Sequence, residues 1–435
     1  MRDLLVASIV FGLLPFVIKR PYWGILLSTW LGYMNPHLLC YGFMVSLPVV
    51  QIVAIVTLVG MLATQNDIRM VWSREIVVLV ILILWMGITT TQAIHFEPAV
   101  DQYIKVLKIQ ILTFMALLLL TSRMRIHTFV WVIVLSLGYY GLKGGVFTLA
   151  NGGSYRVQGP GGFIGGNNEL ALALVMTIPL MRYLHLQATN RRVKVALAIA
   201  MLLTALAAIG SQSRGALVAM SLMGAIFWFK SRHKFTTALL IAIAVLIVVG
   251  VMPESWYQRM NTINTYDQDD SALGRINAWW AAWNLANARF FGGGFETWSW
   301  TMFQMYGPDP ENVRAPHSIY FQVLGEHGWV GLAIFLTLLA LTWMKCSAVI
   351  RMAKKRPEIE WARDLAAMIQ VSLVGYMSAG AFLGLANFDY FYHLVVVAVV
   401  LHQLVALPKA IGQGATRSDL SRSSPDMGSG SLPRH

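Results

Sequence analysis

Arg214, Arg275 and His317 are the side chains whose types suit them to act together on an anion. A guanidinium stays charged and meets a phosphate through two parallel N–H···O bonds. An imidazole titrates near neutrality and takes the proton of a hydroxyl as a general base. Each also has an ordinary reading: Arg214 as a snorkelling headgroup anchor, Arg275 as the polar face of a surface helix, His317 as a capping histidine. Arg214 favours function because Ser211-Gln212-Ser213-Arg214 adds three more hydrogen-bonding side chains in an outer turn. Positions 214, 275 and 317 lie 61 and 42 residues apart, so only folding can join them.

The elements that must position them are membrane helices. Of the 435 residues, 57% are hydrophobic and only 12% charged, against roughly 25% charge in soluble domains; mean hydropathy is +0.61. A span of ~20 apolar residues crosses the bilayer core. Candidate spans cover 4–18, 22–34, 45–63, 76–94, 104–120, 129–148, 170–186, 195–210, 216–229, 235–251, 318–344, 365–386 and 390–407. The first two are short, separated by Lys19-Arg20-Pro21, and read as a broken or re-entrant hairpin. With Arg2 inside, this gives about 12 crossings, an all-α polytopic membrane fold. The first apolar stretch shows no convincing cleavage site, so no cleavable signal peptide is expected.

The net charge of +13 follows the same topology and not a nucleic-acid-binding face. Basic clusters at Arg69/Arg74, Arg123/Arg125, Arg191/Arg192/Lys194, Lys230/Arg232/Lys234 and Arg351/Lys354/Lys355/Arg356 recur after every second crossing, which marks those loops as cytoplasmic. Loops 37–44, 95–102, 151–168, 211–214, 253–316 and 387–389 are then external. The chain divides into N-terminal spans (1–252), an external loop or lid (253–316), C-terminal spans (317–407) and a Ser/Gly/Arg-rich tail (408–435) expected to be disordered and cytoplasmic. Cys40 and Cys346 fall on opposite sides, so no disulfide is expected.

Loop 253–316 holds seven acidic and four basic residues, so its arginines are not topology signals. Residues 271–287 place Ile276, Trp279, Trp280 and Trp283 at i, i+3, i+4, i+7, which predicts an amphipathic helix with interfacial tryptophans. A Gly-rich turn and an aromatic run follow at 291–300. Asn-Gly-Gly at 151 opens a second Gly-rich external loop; it lacks a Walker lysine and reads as a mobile loop with Arg156 as an auxiliary phosphate contact. His37, His95 and His393 are external without arginine context. His327, ten residues beyond His317, is expected to hydrogen-bond with Glu326 inside the bundle. Asp267-Gln268-Asp269-Asp270 contains an Asp-x-Asp pattern, read as a solvated turn and not a metal site.

The segments SQSRGAL, GRINAWWAAWNLA, GGGFE and HSIYFQVLGEHGWVGL resemble the O-antigen ligase and polymerase superfamily. NGGSYRVQGPGGFIGGNNELALAL and MNTINTYDQDDSALGRINAWW resemble its subgroup of exosortase-associated O-glycosylation ligases. The resemblance runs from about residue 4 to 407. It implies a C-type glycosyltransferase fold in the bacterial inner membrane, with the active site facing the periplasm. It implies that Arg214 and Arg275 hold a polyprenyl pyrophosphate, that His317 acts in glycosyl transfer, and that the reaction is inverting and needs neither metal nor cofactor. The expected donor is an undecaprenyl-pyrophosphate-linked glycan and the expected acceptor the lipid A–core oligosaccharide. A protein acceptor, or a second lipid-linked glycan as in a polymerase, is the alternative. A lipid-linked sugar flippase is the alternative of another class. The superfamily often has Asn after the histidine; here that position is Ser318.

Overall fold

The computed structural model describes residues 1–64, 68, 70–230, 234–261, 270–354 and 356–406. Sixteen α-helices account for almost all regular structure, and no strand occurs among the described residues. In chain order they are α1 (Arg2–Lys19), α2 (Tyr22–Met34), α3 (Val49–Thr64), α4 (Arg74–Thr91), α5 (Phe96–Leu119), α6 (Arg123–Ala150), α7 (Asn167–Gln187) and α8 (Arg191–Gly210). There follow α9 (Arg214–Lys230), α10 (Lys234–Val251), α11 (Glu254–Asn261), α12 (Asp270–Ala288), α13 (Trp300–Tyr306), α14 (Ile319–Ala353), α15 (Glu360–Gly380) and α16 (Asp389–Ala406).

Seven of these, α4 to α8, α14 and α16, are long and apolar enough to cross a membrane, and α3 and α9 are shorter apolar helices. The chain is therefore an all-helical polytopic membrane protein. Among the seven, α7 and α16 are the most enclosed, which makes them the centre of the bundle. Close approach is achieved with small residues, as in membrane helix pairs generally. Between α6 and α8, a Cβ on Gly141 would lie 2.2 Å from Thr204 Oγ1, and one on Gly145 would lie 2.3 Å from the Leu203 carbonyl.

The bundle has two chemically different ends. At one, Arg123 lies over the Trp361 ring at 5.0 Å and reaches Gln187 at 3.4 Å. There too Gln187 donates to Asp364, Lys345 pairs with Glu75 at 3.1 Å and Arg356 donates to the Val405 carbonyl. The described members of the basic clusters sit where α4, α6, α8 and α10 begin and α14 ends, so the predicted charge alternation becomes a single basic end. Arg69, Arg232 and Lys355 lie outside the described residues, as do Asp267, Asp269 and the tail from 407.

The first two helices correct the expectation about Arg2. Tyr22 donates to the Arg125 carbonyl, placing the Lys19-Arg20-Pro21 turn at the basic end. Arg2 instead reaches the Leu39 carbonyl, and Asp3 accepts from the Gly42 and Met44 N–H groups. Helix α1 thus runs antiparallel to α2 with Arg2 at the opposite end. Charge alone pointed Arg2 inward; the adjacent Asp3 caps loop 42–44 and holds the helix start there.

Helix α14 is broken at Gly328 (φ 67°, ψ −172°). A break leaves helical carbonyls without partners, and loop 292–294 supplies them. Gly293 N–H donates to the Gly325 carbonyl at 2.8 Å and Gly294 N–H to that of Glu326 at 2.9 Å. Trp85 Nε1 donates to the His327 carbonyl. The Gly-rich turn is therefore inserted into the helix break. A Cβ on Gly292 would lie 2.7 Å from both the Gly325 carbonyl and the Gly328 nitrogen. His327 is buried here against Thr89, Nδ1 to Oγ1 2.7 Å, with Glu326 at 3.9 Å. Its close partner is thus Thr89 and not the neighbouring glutamate, whose carboxylate accepts from Trp298 Nε1 and Gln322 Nε2.

Candidate active site

At the end opposite the basic clusters, α7, α9 and α14 all begin, and helix N-termini present partial positive charge and free N–H groups. The 211–214 turn is built by its own side chains. Ser211 Oγ donates to the Ala208 carbonyl and accepts from Ser213 N–H. Ser213 Oγ accepts from Ala216 N–H at 3.3 Å, an N-cap for α9. Gln212 takes a left-handed conformation (φ 57°), which turns its amide toward loop 151–166. There it donates to the Gly153 carbonyl and accepts from Arg156 Nε at 3.3 Å. Asn167 Nδ2 donates to the Ser211 carbonyl. Arg156 is thereby brought to the turn that carries Arg214, as the first residue of α9.

Helix α12 forms over Asp270–Ala288, as the apolar spacing of 271–287 predicted. Its packed face is the small-residue one, with Ala278, Ala281, Ala282 and Leu285 buried, while Trp280 and Trp283 are exposed. Trp279 faces inward. It stacks on Phe321 with centroids 5.1 Å apart and planes 9° from parallel, and its Nε1 donates to the Pro316 carbonyl at 2.7 Å. That bond fixes the residue before His317, which itself sits in the left-handed region (φ 42°). Strain of this kind in a non-glycine residue recurs at functional sites.

His317 keeps an exposed surface, yet surrounding protein and nearby charge both act on its ring. Burial lowers its pKa below the usual 6.5; Arg275 lowers it further, Glu169 works against this, and Arg314 adds to the lowering. Arg275, on α12, and His317 are thus brought together, with Arg314 packed over Gly274. The backbone beside Arg214 is linked to them through a chain of contacts. A Cβ on Gly215 would lie 3.5 Å from Phe382 Cβ, Phe382 is 6.4 Å from Trp279, and Trp279 holds Pro316. Two guanidiniums and three helix N-termini at one end can bind a diphosphate, and a neutral imidazole beside them can accept a proton.

Glu169 and Phe382 were not singled out by sequence, while Gln212 and Trp279 were named only as members of the 211–214 turn and of the apolar spacing at 271–287. Glu169 carried a weak signal, as the acidic residue opening the apolar run after GGNN. The other histidines stand apart: His95 bonds Ser299 and His393 lies 2.5 Å from the Tyr33 hydroxyl. Both cysteines are free and buried.

A family model described as O-antigen ligase matches residues 199–336, a range that includes Arg214, Arg275 and His317. A second, described as a family of unknown function, matches residues 1–189 and includes Arg156 and Glu169. The search of curated proteins gives no match.

Proposed function

Because the chain belongs to the O-antigen ligase superfamily through residues 199–336, we propose that it transfers a glycan from undecaprenyl pyrophosphate to the lipid A–core oligosaccharide. The reaction takes place at the periplasmic face of the bacterial inner membrane, the face away from the basic end. Arg214 and Arg275 grip the pyrophosphate, with Arg156 as an auxiliary contact. His317 takes the proton from the acceptor hydroxyl. That oxygen bonds to the anomeric carbon from the face opposite the leaving group, the carbon–oxygen bond to phosphate breaks, and the lipid diphosphate departs with inversion. Guanidiniums supply the charge that the leaving diphosphate needs, so no metal is invoked. Losing one such donor costs ~3–4 kcal/mol of barrier, and loss of general-base help costs roughly 10²–10⁴ in rate.

The observation that carries this reading is the electrostatic meeting of His317 with Arg275, Arg314 and Glu169 at the end where α7, α9 and α14 begin. Purified His317→Ala and Arg214→Ala proteins, folded and incubated with lipid-linked glycan and acceptor, are expected to lose transfer by roughly 10²-fold or more. Near-normal transfer by His317→Ala removes the catalytic role. The resemblance of segments 151–174 and 260–280 to O-glycosylation ligases favours a protein side chain as the alternative acceptor, with the same chemistry. Mass analysis of products from parallel incubations decides among lipid A–core, protein and lipid-linked glycan. Movement of the lipid-linked glycan across the bilayer with no new glycosidic bond would indicate a flippase instead.

A further inference from the structure

A cavity of about 180 Å³ lies between α2, α5 and α16, roofed by Gly162 and Phe163 of the 151–166 loop. It is separate from the residues assigned above. Its walls are aliphatic toward α3 and α5, but Ser28, Asn35, Asp389 and His393 bring a hydroxyl, an amide, a carboxylate and an imidazole to its surface. Ser28 is only 5% exposed, and its Oγ has no hydrogen-bond partner among the described residues. Such a group costs stability unless something meets it. Asp389 Oδ2 lies 3.6 Å from where a Cβ on Gly32 would stand, which sets its carboxyl group against α2 on the cavity wall.

The chemistry narrows the occupant. Among the described residues no Lys or Arg lines the cavity, so a phosphate would find no countercharge there. A bare cation leaves most of the space unfilled, since about 180 Å³ equals roughly six waters at ~30 Å³ each. A hydrocarbon tail leaves the Ser28 hydroxyl unmet. A neutral ring bearing several hydroxyls can both donate to and accept from Ser28, Asn35 and Asp389. The exposed ring of Phe163 gives its C–H face an apolar platform.

We propose that this cavity binds one sugar ring of the glycan substrate, at a subsite beside the reacting centre. The proposal rests on the transferase reading, and two shared segments join the places. Loop 151–166 sends Arg156 to Gln212 and Gly162–Phe163 to the cavity rim. The 381–388 connection carries Phe382 against Gly215 and Gly384 against His317, then leads into Asp389. The ring belongs to the donor glycan or to the acceptor glycan, and both present the same hydroxyls.

The test uses the full chain in nanodiscs with glucose, galactose, rhamnose and N-acetylglucosamine as probes, read by saturation-transfer NMR. At least one is expected to show transfer that falls tenfold or more in Ser28→Leu, which fills the cavity, and in Asp389→Asn. Phe163→Ala, at the exposed rim, gives the same loss without a buried change. Binding of sugar-free undecaprenyl pyrophosphate stays unchanged in all three. In turnover assays KM rises for one glycan substrate with kcat within twofold. A rise for the donor places its ring here, and a rise for the acceptor places that one. Absence of a signal for all four sugars, or signals indifferent to all three substitutions, overturns the proposal. Failure of the transferase reading registers separately, as retained turnover in His317→Ala.

Discussion

Trp279 Nε1 and the Pro316 carbonyl are 2.7 Å apart across 37 positions of chain. The contact ties the middle of α12 to the residue before His317 and orients the left-handed backbone at that histidine.

Trp279→Phe keeps an aromatic ring over Phe321 but leaves the Pro316 carbonyl without this donor. Stability is expected to fall by about 1 kcal/mol, and kcat roughly tenfold or more through loss of alignment, with little change in donor KM. Steady-state kinetics beside thermal unfolding check this. A change in Tm alone would show that the bond serves only stability.

The environment of His317 sets the direction of a pH effect. Burial, Arg275 and Arg314 outweigh Glu169 and hold its pKa below 6.5. The neutral ring therefore persists into mildly acid solution, and the acid limb of kcat/KM is expected below pH 6.5. Arg275→Gln removes a lowering charge and shifts the His317 titration upward; Glu169→Gln removes a raising charge and shifts it downward. NMR titration of the imidazole without donor separates these shifts from effects on pyrophosphate binding.

Arg214 is expected to be intolerant of lysine. An ammonium restores charge but not the bidentate fork, so Arg214→Lys should recover only a minor part of the roughly 10²–10³ loss expected for Arg214→Ala. Donor turnover by the two purified variants measures it, and full recovery by lysine would reduce the contact to point charge.

Gly328→Ala tests the helix break. Its φ of 67° disfavours a side chain, and the new Cβ would lie 2.4 Å from the Phe290 carbonyl. A loss of roughly 1–3 kcal/mol is expected, read as a lower Tm, whereas Gly224→Ala, inside α9 with nothing within 4 Å, should not lower Tm.

The position of Arg2 makes a topological prediction. In a protein with its native cysteines replaced by serine, Arg2→Cys should react with an impermeant thiol reagent from the side that also labels Pro308→Cys. Arg20→Cys should react only from the other side.

The sequence determined what depends on local composition. Apolar length set the helices, basic residues recurring after alternate spans gave the bundle one basic end, and spacing at 271–287 was enough for α12. It also gathered Arg214, Arg275 and His317 as candidates, since a charged or titrating side chain beside apolar sequence is visible in one dimension. Tertiary structure alone decided which partners meet. Glu169 acts on His317 from 148 positions away, and the 292–294 turn fills a break in α14 because both strands of chain hold backbone groups that nothing nearer can satisfy. The cavity at Ser28 and Asp389, 361 positions apart, likewise exists only because α2 and α16 pack together. Hydropathy is additive along a chain; hydrogen bonds and fields depend on distances that only the packed helices fix.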